Sequence, residues 1–185
     1  MPQESDNILI EKSLAGDDRA FSQLIQNYQN LVGSLVARII KDTEDQEEVC
    51  QDVFTKVYFK LDKFEFESKF STWLYTIAYR SAISFLRKKK LNSEPYEDEQ
   101  HGIVDSGAIP REMELEVSRQ VAAAISQLKL EERTALTLYH FNGCTISEIA
   151  TITEKPEGTI KNLLFRVRKK LQQQLNSTLL LDISV

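Results

Sequence analysis

Cysteine is almost missing from this chain, and the two residues present stand alone. Cys50 and Cys144 have no CxxC partner and no histidine beside them. That excludes a disulfide framework and a zinc-finger type of site, so no metal or cofactor is expected and reduced thiols in a cytoplasmic setting are the default. His101, one of only two histidines, has no metal-ligand neighbour. Six glycines and four prolines in 185 residues, with few β-branched runs, predict an all-α fold. No apolar run reaches the ~18 residues of a membrane span. The opening MPQESDN has neither the basic nor the apolar region of a signal peptide, so direct membrane insertion is not expected. A nucleophile–base pair, a phosphate-cradling loop and a metal set are also missing, and nothing points to an enzyme.

What is present can build cores: 42% of the residues are hydrophobic, enough for one domain or two small ones. The net charge of −5 argues against a general nucleic-acid coat protein but conceals a segregation. Residues 1–91 hold 13 basic and 14 acidic side chains, 92–116 hold 1 and 8, and 117–185 hold 9 and 6. In the middle, NSEPYEDEQHGIVDSGAIPR (Asn92 to Arg111) mixes turn formers with acids and holds two of the four prolines. An acidic linker over 92–111 is expected between two small helical domains, 1–91 and 112–185.

The richest stretch is Phe70 to Lys90, FSTWLYTIAYRSAISFLRKKK, with the only tryptophan and four adjacent cations at its end. Helical projection gives it three faces. Phe70, Trp73, Leu74, Ile77, Ala78 and Phe85 form a wide core-facing arc; Tyr75, Tyr79, Ala82 and Leu86 form a narrower one; Thr72, Thr76, Arg80 and Arg87 form a polar band. The band is either a solvated face, with Arg87 to Lys90 complementing the helix C-terminus, or a row of hydroxyls and guanidinium groups suited to a nucleic-acid backbone with bases to stack or splay.

Upstream, a helical pattern begins at Ile8 to Ala15, and a long amphipathic one runs from Phe21 through Leu24, Tyr28, Leu31, Leu35 and Val36 to Ile39. After Lys41-Asp42-Thr43 a further helix, Asp45 to Lys60, sets Val49, Val53, Val57 and Leu61 on one side. Its acids Glu44, Asp45, Glu47 and Glu48 either complement the helix N-terminus or, with Gln51 and Asp52 outward beside them, offer a docking surface for a basic or coiled-coil partner. The loop Lys63 to Lys69, KFEFESK, should end at a Ser68 or Ser71 cap. Its phenylalanines either fold back under the bundle or shape a pocket for an unstacked base.

Beyond the linker, Leu115 to Leu128 and Leu130 to Tyr139 read as helices, and Phe141-Asn142-Gly143 as a turn. Thr145-Ile146-Ser147-Glu148 has the capping-box form and opens a short helix with Ile146, Ile149, Ala150 and Ile152 inward. Pro156 then starts a helix with Ile160, Leu164, Val167 and Leu171 inward and Lys161, Asn162, Phe165, Arg166, Arg168, Lys169 and Lys170 outward. Two helices joined by a tight turn, the second longer and basic, is the helix-turn-helix layout. An ordinary helical hairpin with a basic surface is the alternative.

AGDDRAFSQLIQNY (Ala15 to Tyr28), DTEDQEEVCQDVFTKVY (Asp42 to Tyr58) and the Phe70 to Lys90 stretch, in that order, resemble the second conserved region of sigma factors of the extracytoplasmic-function group. ISQLKLEERTALTLYHFNGCTISEIATITEKPEGTIKNLLFRVRKKL (Ile125 to Leu171) resembles their fourth region. The resemblance implies a bacterial transcription initiation factor that binds core RNA polymerase, recognises promoter elements near −35 and −10, and helps open the duplex. It implies that Asp45, Glu48, Gln51, Asp52 and Phe54 dock on the polymerase clamp. Phe64, Ser71, Thr72, Trp73, Thr76, Tyr79, Arg80, Arg87 and Lys88 would hold the −10 element, with a non-template base flipped into a pocket. Thr159, Lys161, Asn162, Phe165, Arg166, Arg168 and Lys169 would meet the −35 element. The linker would run toward the RNA exit path, and an anti-sigma factor would be among the partners.

Four positions depart from the family pattern. Arg80 stands where many members have an asparagine, Leu163 replaces a common arginine and so removes a cation contact, Lys129 replaces a frequent proline, and Glu154 a frequent glycine, where a compensated backbone is expected. The competing function is a stand-alone helix-turn-helix regulator, which leaves the aromatic helix and the acidic docking helix without a role. The apolar tail Leu179 to Val185, LLLDISV, either packs on its own C-terminal domain or offers a partner surface.

Overall fold

The computed structural model describes residues 3–92 and 121–174. The acidic linker from residue 93 onward and the apolar tail lie outside the described residues, as does the first part, residues 115–120, of the helix expected from Leu115 to Leu128. Every element among the described residues is helical.

In the N-terminal unit, α1 (Gln3–Leu14) stops at Gly16, whose φ of 91° is open to glycine without strain. Asp17 then caps α2 (Asp18–Ile39), accepting from the Arg19 and Ala20 N–H groups at 2.9 and 3.3 Å. Asp42 does the same for α3 (Thr43–Lys60), accepting from the Asp45 N–H at 3.0 Å. A 3-10 turn, Leu61–Lys63, and a loop lead into α4 (Phe70–Asn92). Neither serine caps α4, contrary to expectation. The Thr72 and Trp73 N–H groups go to the Lys69 carbonyl at 3.0 and 3.3 Å, and the Ser68 hydroxyl donates to that same carbonyl.

In the C-terminal unit, helical residues 121–126 (α5) precede α6 (Leu130–Leu136). The expected single helix to Tyr139 instead widens into a π turn, Thr137–Phe141, before Gly143 at φ 65°. The capping box forms as read: Glu148 N–H to the Thr145 hydroxyl at 3.2 Å, and Thr145 N–H to the Glu148 carboxylate at 2.7 Å, opening α7 (Ile146–Thr153). Glu154 ends α7 in the left-handed region, at φ 56° and ψ 38°. The Pro156 carbonyl accepts the Thr159 and Ile160 N–H groups at the start of α8 (Glu157–Gln174). The buried stripe of α8 is Ile160, Leu163, Val167 and Leu171. Leu163 thus corrects one expectation: it takes the inward place assigned to Leu164.

The two helical units share a surface. α4 packs on α2 and α3 along one side and on α7 along another, and Leu74, Tyr75, Ala78 and Ala82 are buried. A large core runs without a break from Ile10, Val32 and Val53 through α4 to Leu138, Ile149 and Ile160. A smaller one, Ala124, Ile125, Leu128, Leu136, Val167 and Leu171, belongs to the C-terminal unit alone.

Inside the N-terminal unit, the Tyr28 hydroxyl donates to the buried Asp6 carboxylate at 2.5 Å, and burial together with that carboxylate pushes the phenol far above its ordinary value. Tyr28→Phe leaves Asp6 without this donor. The expected loss is about 1–3 kcal/mol, seen as a lower urea midpoint with an unchanged denaturant slope.

Candidate nucleic-acid interface

On α3, Asp45, Glu48 and Asp52 line one side of the helix at spacings of three and four. Glu48, Gln51 and Asp52 are exposed. Asp45 is half-buried and paired with Lys89 of α4. Asp52 pairs with Lys56 at 2.5 Å, and the same ammonium donates to the Ser81 hydroxyl at 2.9 Å. Phe54 stands apart from this row: about 200° around the helix from Asp52, it is packed half-buried against the core.

The loop before α4 sorts its aromatics. Phe64 is buried, with its ring centroid 4.9, 5.6 and 5.5 Å from those of Phe66, Phe70 and Trp73. Closing the chain under the start of α4 needs an apolar plug, and burying such a side chain is worth about 1.5–3 kcal/mol. Phe64 is therefore withdrawn from the surface where the −10 element was expected. Phe66 is 43% exposed and holds a left-handed backbone, φ 57°.

Along α4, Ser71, Trp73, Thr76 and Tyr79 are half-buried, while Arg80, Arg87 and Lys88 are exposed. Two of the expected hydroxyls are not free. The Thr76 hydroxyl turns back to the Thr72 carbonyl at 2.9 Å. Thr72, buried rather than solvated, donates to the Glu148 carboxylate of α7 at 3.3 Å. Lys69 reaches the same carboxylate at 2.9 Å, and Arg80 pairs with Glu154. The residues absent from the expected site are thus Lys69, Glu148 and Glu154. No local signal marked them, since the capping box and a turn already accounted for the two acids.

On α8, Thr159 is half-buried, and Lys161, Asn162, Phe165, Arg166, Arg168 and Lys169 are exposed. They fall on two flanks of the buried stripe. Asn162, Arg166 and Lys169 share one flank; Lys161, Phe165 and Arg168 share the other, where they line an apolar groove of about 360 Å³ against Ile125, Leu136 and Phe141. At the base of the unit, the Glu132 carboxylate is 3% exposed and receives Lys170 at 2.7 and 2.9 Å and the Lys129 N–H at 3.1 Å. Lys129 therefore serves the α6 start through its backbone. Burial alone would raise the Glu132 pKa, but Lys170 and the Lys129 N–H outweigh it and hold the group below the usual carboxylate range.

Among the described residues no group of three histidine, cysteine or acidic side chains is placed to hold a metal, and no helix is long and apolar enough to cross a membrane.

A basic helix-turn-helix packed against a second helical unit with acidic and aromatic-cationic faces defines a two-part helical DNA-binding protein. Residues 24–91 match the family model for sigma-70 region 2, and residues 118–171 that for sigma-70 region 4. The chain is 34% identical to the RNA polymerase sigma-H factor of Pseudomonas aeruginosa, over 97% of this chain and 98% of that protein. It is 33% identical to the ECF RNA polymerase sigma-E factor of Escherichia coli K12, over 94% and 95%. Its fold is similar to that of CnrH, solved with the cytosolic domain of CnrY (TM-score 0.66, 22% identity, 91% of this chain and 96% of that one). It is likewise similar to that of the sigma factor RpoE from Bartonella quintana, solved with the anti-sigma factor NepR (TM-score 0.65, 23% identity, 83% and 95%). The chain belongs to the sigma-70 family, in its extracytoplasmic-function group. It is a transcription initiation factor that binds core RNA polymerase and directs it to promoters.

Two outcomes check the geometry. Phe64→Ala should destabilise the protein by about 3–5 kcal/mol, whereas Phe66→Ala, at an exposed site, should stay within about 0.5 kcal/mol in chemical denaturation. Glu132 has a folded pKa below its unfolded one, so its stabilisation is present above the usual carboxylate pKa and is lost as pH falls through the folded value. Glu132→Gln should cost about 1–3 kcal/mol at pH 7, with the gap to wild type closing as denaturation is repeated at progressively lower pH below 5.

Proposed function

We propose that residues 1–91 carry polymerase docking and −10 recognition, that 92–111 form the connecting linker, and that 112–185 carry −35 recognition. The protein acts in the cytoplasm and has no catalytic activity of its own. Asp45, Glu48, Gln51 and Asp52 form the polymerase-docking row, with Phe54 supporting it from the core side. Arg80, Arg87 and Lys88 meet the −10 backbone, while Ser71, Thr72, Trp73, Thr76 and Tyr79 lie alongside its bases. Phe66, exposed and backbone-strained, takes the place at the −10 element that the family resemblance implied for Phe64. On α8, Lys161, Asn162, Phe165 and Arg166 read the −35 major groove, and Thr159, Arg168 and Lys169 hold phosphates. An anti-sigma factor is proposed as a further partner, in keeping with the similarly folded RpoE solved with NepR.

The observation that carries this reading is the exposed basic face of α8 on a helix-turn-helix, in a chain similar over nearly its whole length to two sigma factors. Transcription by core polymerase from a random promoter library tests it. Reads should enrich a −35 and −10 pair only when this protein is added; sequence-specific DNA binding by the protein alone would instead favour a stand-alone regulator. On the enriched promoter, Asn162→Ala should relax one −35 position by about 1–3 kcal/mol. Lys169→Ala should weaken all sequences alike and lower the salt slope by about 0.9.

A further inference from the structure

The groove beside α8 has an apolar lining and a basic rim. Ile125, Leu136 and Leu171 are buried in it, Leu164 is half-buried, and Phe141 and Phe165 stand 52% and 65% exposed. Lys161 and Arg168, both exposed, supply the cations of the lining, which among the described residues contains no acid. An apolar surface rimmed by charge marks a contact site.

The chain carries a matching segment within reach. Residues 175–185, LNSTLLLDISV, follow Gln174, which lies about 4.5 Å along the axis of α8 from Leu171 at the near end of the groove. Asn176, Ser177 and Thr178 are short polar residues of the kind that favour a chain reversal. Beyond them Leu179, Leu181, Ile183 and Val185 alternate with Leu180, Asp182 and Ser184, the period of an extended segment with one apolar face. Seven extended residues span about 23 Å, whereas the α8 side of the groove, from Leu171 back to Lys161, is about 15 Å long. With Leu179 set beside Leu171, Asp182 falls about 10 Å back along α8, midway between Arg168 and Lys161. It is the only charged side chain of the segment, and its sign is opposite to that of the rim.

We propose that this groove is the seat of the chain's own residues 179–185: the alternate apolar side chains enter the lining, and Asp182 pairs with the rim cations. The proposal is independent of the −35 reading, since it uses only the lining and the charge of Lys161 and Arg168. Residue 179 is tethered five positions from Gln174, which raises its local concentration into roughly the millimolar range. The cost of loop closure grows with length, so this short tether favours the adjoining segment over any distant one. On the opposite flank of α8, Asn162, Arg166 and Lys169 stay clear of it.

The probe is a fluorescent peptide of residues 175–185, titrated into the full chain and followed by anisotropy. In wild type the tethered copy competes for the groove; in the full chain carrying Leu179→Ser, Leu181→Ser and Ile183→Ser it does not. The serine variant should bind the peptide at least about tenfold more tightly than wild type, with circular dichroism checking that helicity is retained. Asp182→Lys in the full chain keeps every apolar side chain; this second variant should bind the peptide about three- to fivefold more tightly than wild type. Charge reversal locates the seat. Adding Lys161→Glu and Arg168→Glu to the serine variant should weaken the peptide about three- to fivefold, and a peptide carrying Asp182→Lys should recover that loss. Wild type should sediment as a monomer. Equal peptide affinity in wild type and both tail variants overturns the proposal, as does a loss on charge reversal that the reversed peptide does not recover. A wild-type dimer that the serine variant fails to form would give the groove to the tail of a second copy and overturn the intramolecular seat.

Discussion

A helix that must bury Leu74, Tyr75, Ala78 and Ala82 has an apolar surface too wide for a single neighbour. In α4 the demand is met from both flanks: α2 and α3 cover one, and α7 covers the next. The small Ala78 and Ala82 keep such contacts close, because a methyl group lets helices approach where a longer side chain would hold them apart. Tyr75, 1% exposed, is among the largest fully buried side chains. With both flanks covered, only the strip through Arg80, Ser84 and Arg87 and the cationic end remain outward. The position of every other functional surface follows from this double burial, since α4 is the element that α3 and α7 have in common.

The local code of the chain was legible. Helices α1 to α4, the Thr145–Glu148 capping box, the helix-turn-helix and the outward face of α8 all follow from patterns over a few residues, although the serine cap expected for α4 does not form. Choices made by distant contacts were not. Ile160, Leu163, Val167, Leu171 and Ile160, Leu164, Val167, Leu171 are both acceptable helical stripes, and only the packing of α6 and α7 against α8 selects the first. Phe64 and Phe66 sit two apart in an aperiodic loop, and the closure of that loop under Phe70 decides which is buried. Thr72 reads as part of a solvated band, but α7 lies across it. The π turn after Leu136 has no local signature at all.

Glu148 shows how one group can belong to both levels. Its carboxylate completes the first turn of α7 and also reaches Lys69 and Thr72. Burial alone would raise its pKa; the Thr145 groups and Lys69 outweigh that and hold it below the usual carboxylate range. The charge therefore persists well below neutral pH, which a contact with cations requires. A residue explained completely by its own helix was for that reason passed over as a tertiary contact.

The same separation of levels divides the contacts of the C-terminal unit. Its smaller core, Ala124, Ile125, Leu128, Leu136, Val167 and Leu171, and the buried Glu132 with Lys170 tie α5, α6 and α8 together without help from the N-terminal unit. The polar contacts between units include exposed side chains at Lys69, Arg80 and Glu154 and also the buried Arg133, whose Nε donates to the Arg38 carbonyl of α2 at 2.6 Å. Breaking an exposed pair returns both charges to water at little cost, whereas breaking the Glu132–Lys170 pair would strand a carboxylate that is 3% exposed.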